Sequence, residues 1–126
     1  MKTIIQTTKA PSPIGPYNQA ILVDNTLFTS GQIALDPKTM ELVNRDIEME
    51  TTQVMKNLCE VLKAAGMDFA DVVKTTIFLN DMEDFAKVNE IYGSYFNHKN
   101  APARETVQVA ALPKNVRVEI SFIAIR

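Results

Sequence analysis

The chain has 126 residues, 46% of them hydrophobic, and carries 13 basic against 15 acidic side chains, for a net charge of −2. This length suits one compact domain with its own core, and the sequence lacks the basic block typical of a nucleic-acid binder. No apolar run approaches the roughly 18 residues of a membrane span. Cys59 is the only cysteine and His98 the only histidine, so the chain has too few ligands for a cysteine/histidine zinc site. We therefore predict a single cytoplasmic domain over residues 1–126, without a metal, whose main partner is neither nucleic acid nor membrane.

Three short strands are predicted in the first third of the chain. Thr3–Gln6 is strand-like, and Asn18–Val23 and Thr26–Ser30 form two strands around a hairpin turn at residues 24–25. The segment Lys9–Pro16 holds three prolines, so we expect it to be a loop.

The middle of the chain alternates helix, strand and helix. The first helix is predicted over Asp46–Ala65, and its core-facing stripe follows helical spacing. That stripe consists of Ile47, Thr51, Val54, Leu58, Val61 and Ala65. Val72–Asn80 is rich in β-branched residues and is predicted to be a strand. The second helix is predicted from about Met82 to Asn97, with Asp81 as its N-cap. Its apolar stripe consists of Phe85, Val88, Tyr92, Tyr95 and Phe96.

Two further strands, Arg104–Ala110 and Val116–Ile125, complete the chain. Alternation in the last strand places Glu119 on the face opposite its regular apolar residues, and that second face becomes apolar towards Ile123 and Ile125. The order of elements predicts an α+β fold with two helices on one face of a sheet of about six strands. The apolar residues of the other face suggest that it is buried by other subunits.

Arg104 is the first candidate binding residue. Val107 and Val109 point to one face of their strand, so Arg104, Thr106 and Gln108 point to the other. A guanidinium group fixed at the rim of an apolar layer can grip a carboxylate with two parallel hydrogen bonds. The alternative is an ordinary surface arginine at the start of a strand.

Glu119 is the second candidate. Its strand is close in sequence to that of Arg104 and joined to it by a tight turn, so the two side chains can be neighbours in space. They would form either a structural ion pair or a divided site, in which Arg104 holds a carboxylate and Glu119 orients or deprotonates water. A nearby cation would keep the glutamate ionised.

Two loop positions are weaker candidates. Tyr17 follows a turn and either packs locally or donates a hydrogen bond into a cleft. Gly31, after Ser30, either admits a ligand close to the backbone or marks a bulge.

The combination of motifs is more specific than any single residue. The motifs are IGPYNQA at 14–20, FTSGQI at 28–33, VNEIY at 88–92, PAR at 102–104, VAALPK at 109–114 and VEI at 118–120. In this order and spacing, over nearly the whole chain, they closely resemble the RidA (YjgF) family. The resemblance implies a chorismate-mutase-like fold and a homotrimer with clefts between subunits. It also implies hydrolysis of 2-imino acids or their enamine tautomers to 2-oxo acids and ammonia, without a cofactor. The substrates it implies are 2-aminoacrylate, 2-aminocrotonate, 2-iminopropanoate and 2-iminobutanoate.

The resemblance also assigns roles. Arg104 matches the family's carboxylate-binding arginine, Glu119 the glutamate that positions water, and Tyr17 a tyrosine near the substrate. The other matching cleft positions are Ser30, Gly31 and Asn89.

One position departs from the commonest pattern. Many deaminating members have cysteine two residues after the arginine, and this chain has Thr106, which can still bind substrate through its hydroxyl or backbone. Glu105 lies on the opposite face from Arg104, so we expect it to have a structural or interface role.

An imine deaminase is the leading hypothesis, and a non-catalytic trimer that binds a 2-oxo acid or similar carboxylate is the alternative. Chorismate mutation would rest on fold analogy alone. Ribonuclease or chaperone-like behaviour is reported among relatives, but the mild acidity of the chain argues against RNA as the main substrate.

Overall fold

The computed structural model describes all residues from Met1 to Arg126. Six strands form one sheet in the order β1-β2-β3-β6-β4-β5. The strands are β1 (Lys2–Ile5), β2 (Ala20–Val23), β3 (Thr26–Thr29), β4 (Val72–Leu79), β5 (Ala103–Gln108) and β6 (Val118–Ile125). Neighbouring strands are antiparallel except β4 and β5, which are parallel.

The first helix, α1, spans Ile47–Ala64, close to its predicted bounds. The Asp46 side chain caps it by accepting a 2.7 Å hydrogen bond from the Met49 N–H. Every residue of its predicted stripe is buried, which confirms the helical spacing as the signal for the core-facing side.

The second helix, α2, spans only Phe85–Gly93, so the prediction that it extends from Met82 to Asn97 was wrong at both ends. A 3₁₀ turn precedes α2, and Asp81 caps that turn by accepting from the Glu83 N–H at 2.9 Å. The helix ends at glycine, a poor helix former, and the next residue, Ser94, donates its hydroxyl to a carbonyl of the last turn. No helix has both the length and the apolar composition to cross a membrane.

Both helices pack on the same face of the sheet, as predicted. Their buried residues form one core with alternate residues of β6, namely Val118, Ile120, Phe122 and Ala124. Tyr92 of α2 donates a 2.9 Å hydrogen bond to the Thr75 hydroxyl of β4, which ties α2 to the sheet next to β5.

The opposite face, which we call the outer face, has no helix over it. Ile4, Ile21, Phe28 and Ile123 lie side by side across four strands on this face. Phe28 is 46% exposed and Ile125, on the same face, is 47% exposed. A small cluster covers only the end near Phe78; it comprises Ile33, Leu35, Leu112 and Val116. A continuous apolar strip of the outer face therefore stays open to solvent in one chain.

Candidate functional site

Arg104 lies on the helix-covered face at the free edge of the sheet. It pairs in register with Thr75, which is buried beneath α2. Its guanidinium carbon is 5.2 Å from the centroid of the Tyr92 ring and 5.7 Å from that of Phe85. Its Nη1 donates a 2.7 Å hydrogen bond to Asn89 Oδ1. Because none of the three ion pairs of the chain includes Arg104, its remaining N–H groups can receive a ligand carboxylate.

Next to Arg104 is a cavity of about 640 Å³ between α2 and the segment that leads into β5. Thr106 points to the same face as Arg104, because it pairs with the buried Ile77. Its Oγ1 atom is buried and has no hydrogen-bond partner. A buried hydroxyl without a partner is uncommon, and a bound ligand is one way to satisfy it.

Glu119 lines a different cleft, of about 450 Å³. The cleft arises where the pairing of β3 with β6 becomes irregular. Phe28 pairs with Ile123, and the next pair is Gln32 with Ile120, so three residues face two. This bulge brings residues 29–31 against Glu119, and bulges often occur beside functional sites.

Gly31 and Glu119 are in contact across this bulge. A Cβ atom on Gly31 would lie 2.5 Å from Glu119 Oε2, 2.7 Å from its Cδ and 2.9 Å from its Cγ. The Glu119 side chain therefore occupies the space that any other residue at position 31 would fill. Gly31 therefore marks a bulge, which was one of the two alternatives that the sequence left open. The space beside its Cα atom is filled by Glu119, the candidate base.

Burial raises the pKa of the Glu119 carboxyl above its ordinary value of 4.5. No ion pair includes this carboxylate. It is the only carboxyl group among the residues that line the cleft. A desolvated carboxylate of raised pKa is a stronger base than one in water, which suits it to accept a proton from a bound water molecule.

The prediction that Arg104 and Glu119 can be neighbours was wrong for a single chain. Both β5 and β6 pair with β4 rather than with each other, so their backbones are roughly 10 Å apart. The two residues also point to opposite faces, because Arg104 pairs with buried Thr75 and Glu119 with Phe78 of the outer face. The structural ion pair is therefore excluded within one chain, and so is the effect of Arg104 on the charge of Glu119.

The other predicted residues fall into these two groups. Asn89 and Thr106 accompany Arg104, whereas Tyr17, Ser30 and Gly31 line the cleft of Glu119. The Tyr17 hydroxyl accepts a 3.3 Å hydrogen bond from the Ile14 N–H, so its own proton remains available to a ligand. The Ser30 hydroxyl donates to the Asn18 carbonyl at 2.5 Å, which fixes the bulge.

Lys114 lines the Glu119 cleft and was not among the predicted site residues. It has a left-handed backbone conformation, with φ 55° and ψ 20°, and Asn115 follows with φ 56°. The turn residues Pro113 and Asn115 indicated the bend, but not that the lysine lines the same cleft as Glu119. No group of three or more histidine, cysteine, aspartate or glutamate side chains comes together in a way that could hold a metal ion.

The fold and the two clefts define a small α+β protein with an unpaired arginine at one edge of its sheet and a half-buried glutamate on the outer face. Residues 7–126 match the sequence model of the family described as Endoribonuclease L-PSP. The human 2-iminobutanoate/2-iminopropanoate deaminase is 53% identical, over 100% of this chain and 91% of that protein. The crystal structure of RidA from an Antarctic Psychrobacter species superposes with a TM-score of 0.94 at 44% identity, covering 98% of this chain and 99% of that one. Escherichia coli TdcF with bound serine superposes with a TM-score of 0.92 at 41% identity, covering 98% of each chain.

The chain belongs to the RidA (YjgF) family.

Proposed function

We propose that this protein hydrolyses short 2-imino acids, or their enamine tautomers, to 2-oxo acids and ammonia. The observation that carries the proposal is the Glu119 carboxyl, which is half-buried, has a raised pKa and is the only carboxyl of its cleft. Full-length similarity to the human 2-iminobutanoate/2-iminopropanoate deaminase supports the same substrate class. A single domain and a cytoplasmic location remain predictions from the sequence.

The active site is divided between subunits. Arg104 and Glu119 cannot meet within one chain, so the arginine of one copy serves the glutamate cleft of another. A contact between two different patches is head-to-tail, and such contacts form a ring when the rotation between neighbouring copies closes. The family resemblance implies three subunits, and the exposed apolar strip around Phe28 supplies a surface for the contact.

The chemistry needs no strong nucleophile, because an iminium carbon is already electrophilic. Arg104 binds the substrate carboxylate and so holds the C=N carbon against water that is bound at Glu119. Water attacks that carbon while Glu119 accepts one of its protons, which gives a carbinolamine. Glu119 returns the proton to the nitrogen, and the C–N bond breaks with its electron pair leaving on ammonia. The hydroxyl passes its proton to Glu119 as the carbonyl forms, and Glu119 transfers that proton to the ammonia. The products are a 2-oxo acid and ammonium.

The neighbouring residues orient these two groups. Asn89 holds the arginine through its 2.7 Å hydrogen bond, and the unpartnered Thr106 hydroxyl can donate to the same carboxylate. Gly31 leaves room for the glutamate side chain, and Tyr17 offers its hydroxyl proton to the substrate.

A coupled assay tests the proposal. Threonine dehydratase generates 2-aminocrotonate, semicarbazide competes for the imine, and release of 2-oxobutanoate is followed. We expect the wild type to suppress semicarbazone formation, and Arg104→Ala and Glu119→Gln to fail. Arg45→Ala and Glu48→Gln change exposed residues of the same types, which take part in no ion pair, and should behave as the wild type does. A wild type without effect on imines from several amino acids would refute the deaminase.

The alternative is a trimer that binds small carboxylates without turnover. The unpaired charge of Arg104 favours it, and the related TdcF structure contains bound serine. Binding of 2-oxobutanoate that depends on Arg104, together with an inactive wild type, would select this alternative. The net charge of −2 disfavours RNA, so a 2-imino acid substrate or a bound 2-oxo acid is the better ligand.

A further inference from the structure

Gln19, the first residue before β2, has a buried side chain that binds four backbone groups of one loop. Its exposed fraction is 3%. Its Oε1 accepts from the Thr7 N–H at 2.7 Å, and its Nε2 donates to the carbonyls of Thr7 at 3.0 Å, Ala10 at 3.2 Å and Pro11 at 2.8 Å. The Nε2 amide group has two hydrogens, so the three carbonyls around it share them.

The loop of residues 7–16 makes few other contacts that hold it. Its backbone makes no hydrogen bond to the backbone of any strand or helix. One backbone hydrogen bond involves the loop, from the Tyr17 N–H to the Gly15 carbonyl. The hydrogen bonds of the Lys9 and Ile14 N–H groups stay within the same stretch of chain. Two of its side chains are buried, namely Ala10, which is 1% exposed and belongs to the main core, and Pro11.

This loop forms one wall of the Glu119 cleft. Pro11, Ser12 and Ile14 line the cleft from the loop, and Tyr17 stands at its end. The Gln19 carbonyl also accepts a 2.9 Å hydrogen bond from the Ser30 N–H, so the same residue is attached to the bulge on the other side of the cleft. Glu119 itself lies on β6 and does not depend on the loop for its position.

We propose that Gln19 is a positioning residue that fixes the loop wall of the Glu119 cleft and thereby sets the affinity for substrate. The inference rests on the proposed deaminase activity. Loss of the amide leaves four backbone groups without partners and releases the wall, whereas the arginine and the glutamate stay in place. The KM should therefore rise while kcat is largely kept, because the wall contributes to binding rather than to the chemical step.

The test uses Gln19→Met, which has a similar shape and no amide, and Gln19→Glu, which turns a carboxylate oxygen towards three carbonyls. We expect KM to rise about tenfold and kcat to stay within about twofold of the wild type. Thr52→Val on α1 loses a hydroxyl that donates to the Glu48 carbonyl at 2.8 Å; neither residue lines the cleft, so both constants should be unchanged. Partial unfolding would instead lower kcat at constant KM, because it removes active molecules.

A second readout is independent of activity. Lysyl endopeptidase cuts after lysine, and we expect the burial of Ala10 to protect the Lys9–Ala10 bond in the wild type. We expect cleavage at this bond to be at least about tenfold faster in the Gln19 variants than in the wild type or Thr52→Val. Wild-type KM together with wild-type protection at Lys9 would overturn the inference, and so would failure of both variants to fold, which would make Gln19 a core residue only. An inactive wild type with faster cleavage in the variants would refute the deaminase and leave the loop anchor intact.

Discussion

The Glu119 side chain packs directly against Gly31. A Cβ atom at position 31 would lie only 2.5 to 2.9 Å from the carboxyl group and Cγ of the glutamate. Such separations are far below van der Waals contact, so a residue larger than glycine forces the glutamate out of its position. The absence of a side chain at Gly31 therefore determines the position of the Glu119 carboxyl, the proposed base.

Gly31→Ala should therefore lower kcat/KM about 100-fold, which is the order of loss expected when a catalytic group is displaced by about 1 Å. Gly15→Ala is the matched control, because a Cβ there meets only the Tyr17 ring at 3.6 Å, an ordinary contact. Steady-state kinetics of both variants on 2-aminocrotonate measure the effect. Equal activity of Gly31→Ala and the wild type would contradict the role of this contact.

The raised pKa of Glu119 predicts the pH dependence of the enzyme. In one chain, burial makes this carboxyl take up a proton at a higher pH than the usual 4.5, whereas Arg104 of a second copy acts in the opposite direction. Protonation removes the base, so kcat/KM should fall on acidification, with a midpoint above 4.5 where burial outweighs the guanidinium. The pH profile of kcat/KM reports the free enzyme as well as the free substrate, so a midpoint that belongs to Glu119 should be the same for imines with different side chains. A midpoint that changes with the substrate, or activity that does not fall on acidification, would contradict Glu119 as the base.

The same shift affects stability. A carboxyl whose folded pKa is raised binds its proton more tightly in the folded chain, so its stabilising contribution is present at low pH and is lost as the pH rises through the folded pKa. Glu119→Gln should remove this loss and be at least as stable as the wild type at neutral pH. Urea unfolding of both proteins at fixed chain concentration checks this.

Arg117 and Glu50 form the most buried ion pair. Glu50 is 1% exposed and accepts two 2.8 Å hydrogen bonds from Arg117, one from its backbone N–H and one from Nε. Arg117→Met leaves a buried carboxylate without its partner side chain and should cost about 3 kcal/mol, near the lower end for such a loss because the arginine is 35% exposed. Lys63→Met, which breaks an exposed pair with Glu60, should cost less than about 0.5 kcal/mol. Similar denaturant midpoints for the two variants would contradict this difference.

If subunits associate through the apolar strip of the outer face, deaminase activity should depend on that association. Phe28→Glu places a charge in the exposed apolar strip and should shift the protein to smaller species in sedimentation, with loss of deaminase activity. Met49→Glu changes an apolar residue that is 41% exposed on α1 and should alter neither. An active monomer of Phe28→Glu would show that the site does not need a second copy.

The sequence was sufficient for the α+β order, the buried stripe of α1 and the two faces of β6, because these follow from local periodicity. It could not identify the strand beside β5, because alternation tells which face a side chain takes but not which strand lies next to it. That is why the sequence left open that Arg104 and Glu119 meet. The contact of Gly31 with Glu119 and the four bonds of Gln19 also depend on a bulge and a loop that have no periodic signal.

The central claim is that Arg104 of one copy completes the Glu119 cleft of another. The most direct test mixes Arg104→Ala and Glu119→Gln chains, unfolds them together and refolds them at equal concentrations. Each variant alone should be inactive. In random rings about one site in four receives an intact arginine from one chain and an intact glutamate from its neighbour, so we predict about a quarter of wild-type activity. No activity in the refolded mixture, while wild type refolded in parallel recovers its own, would contradict a site shared between subunits.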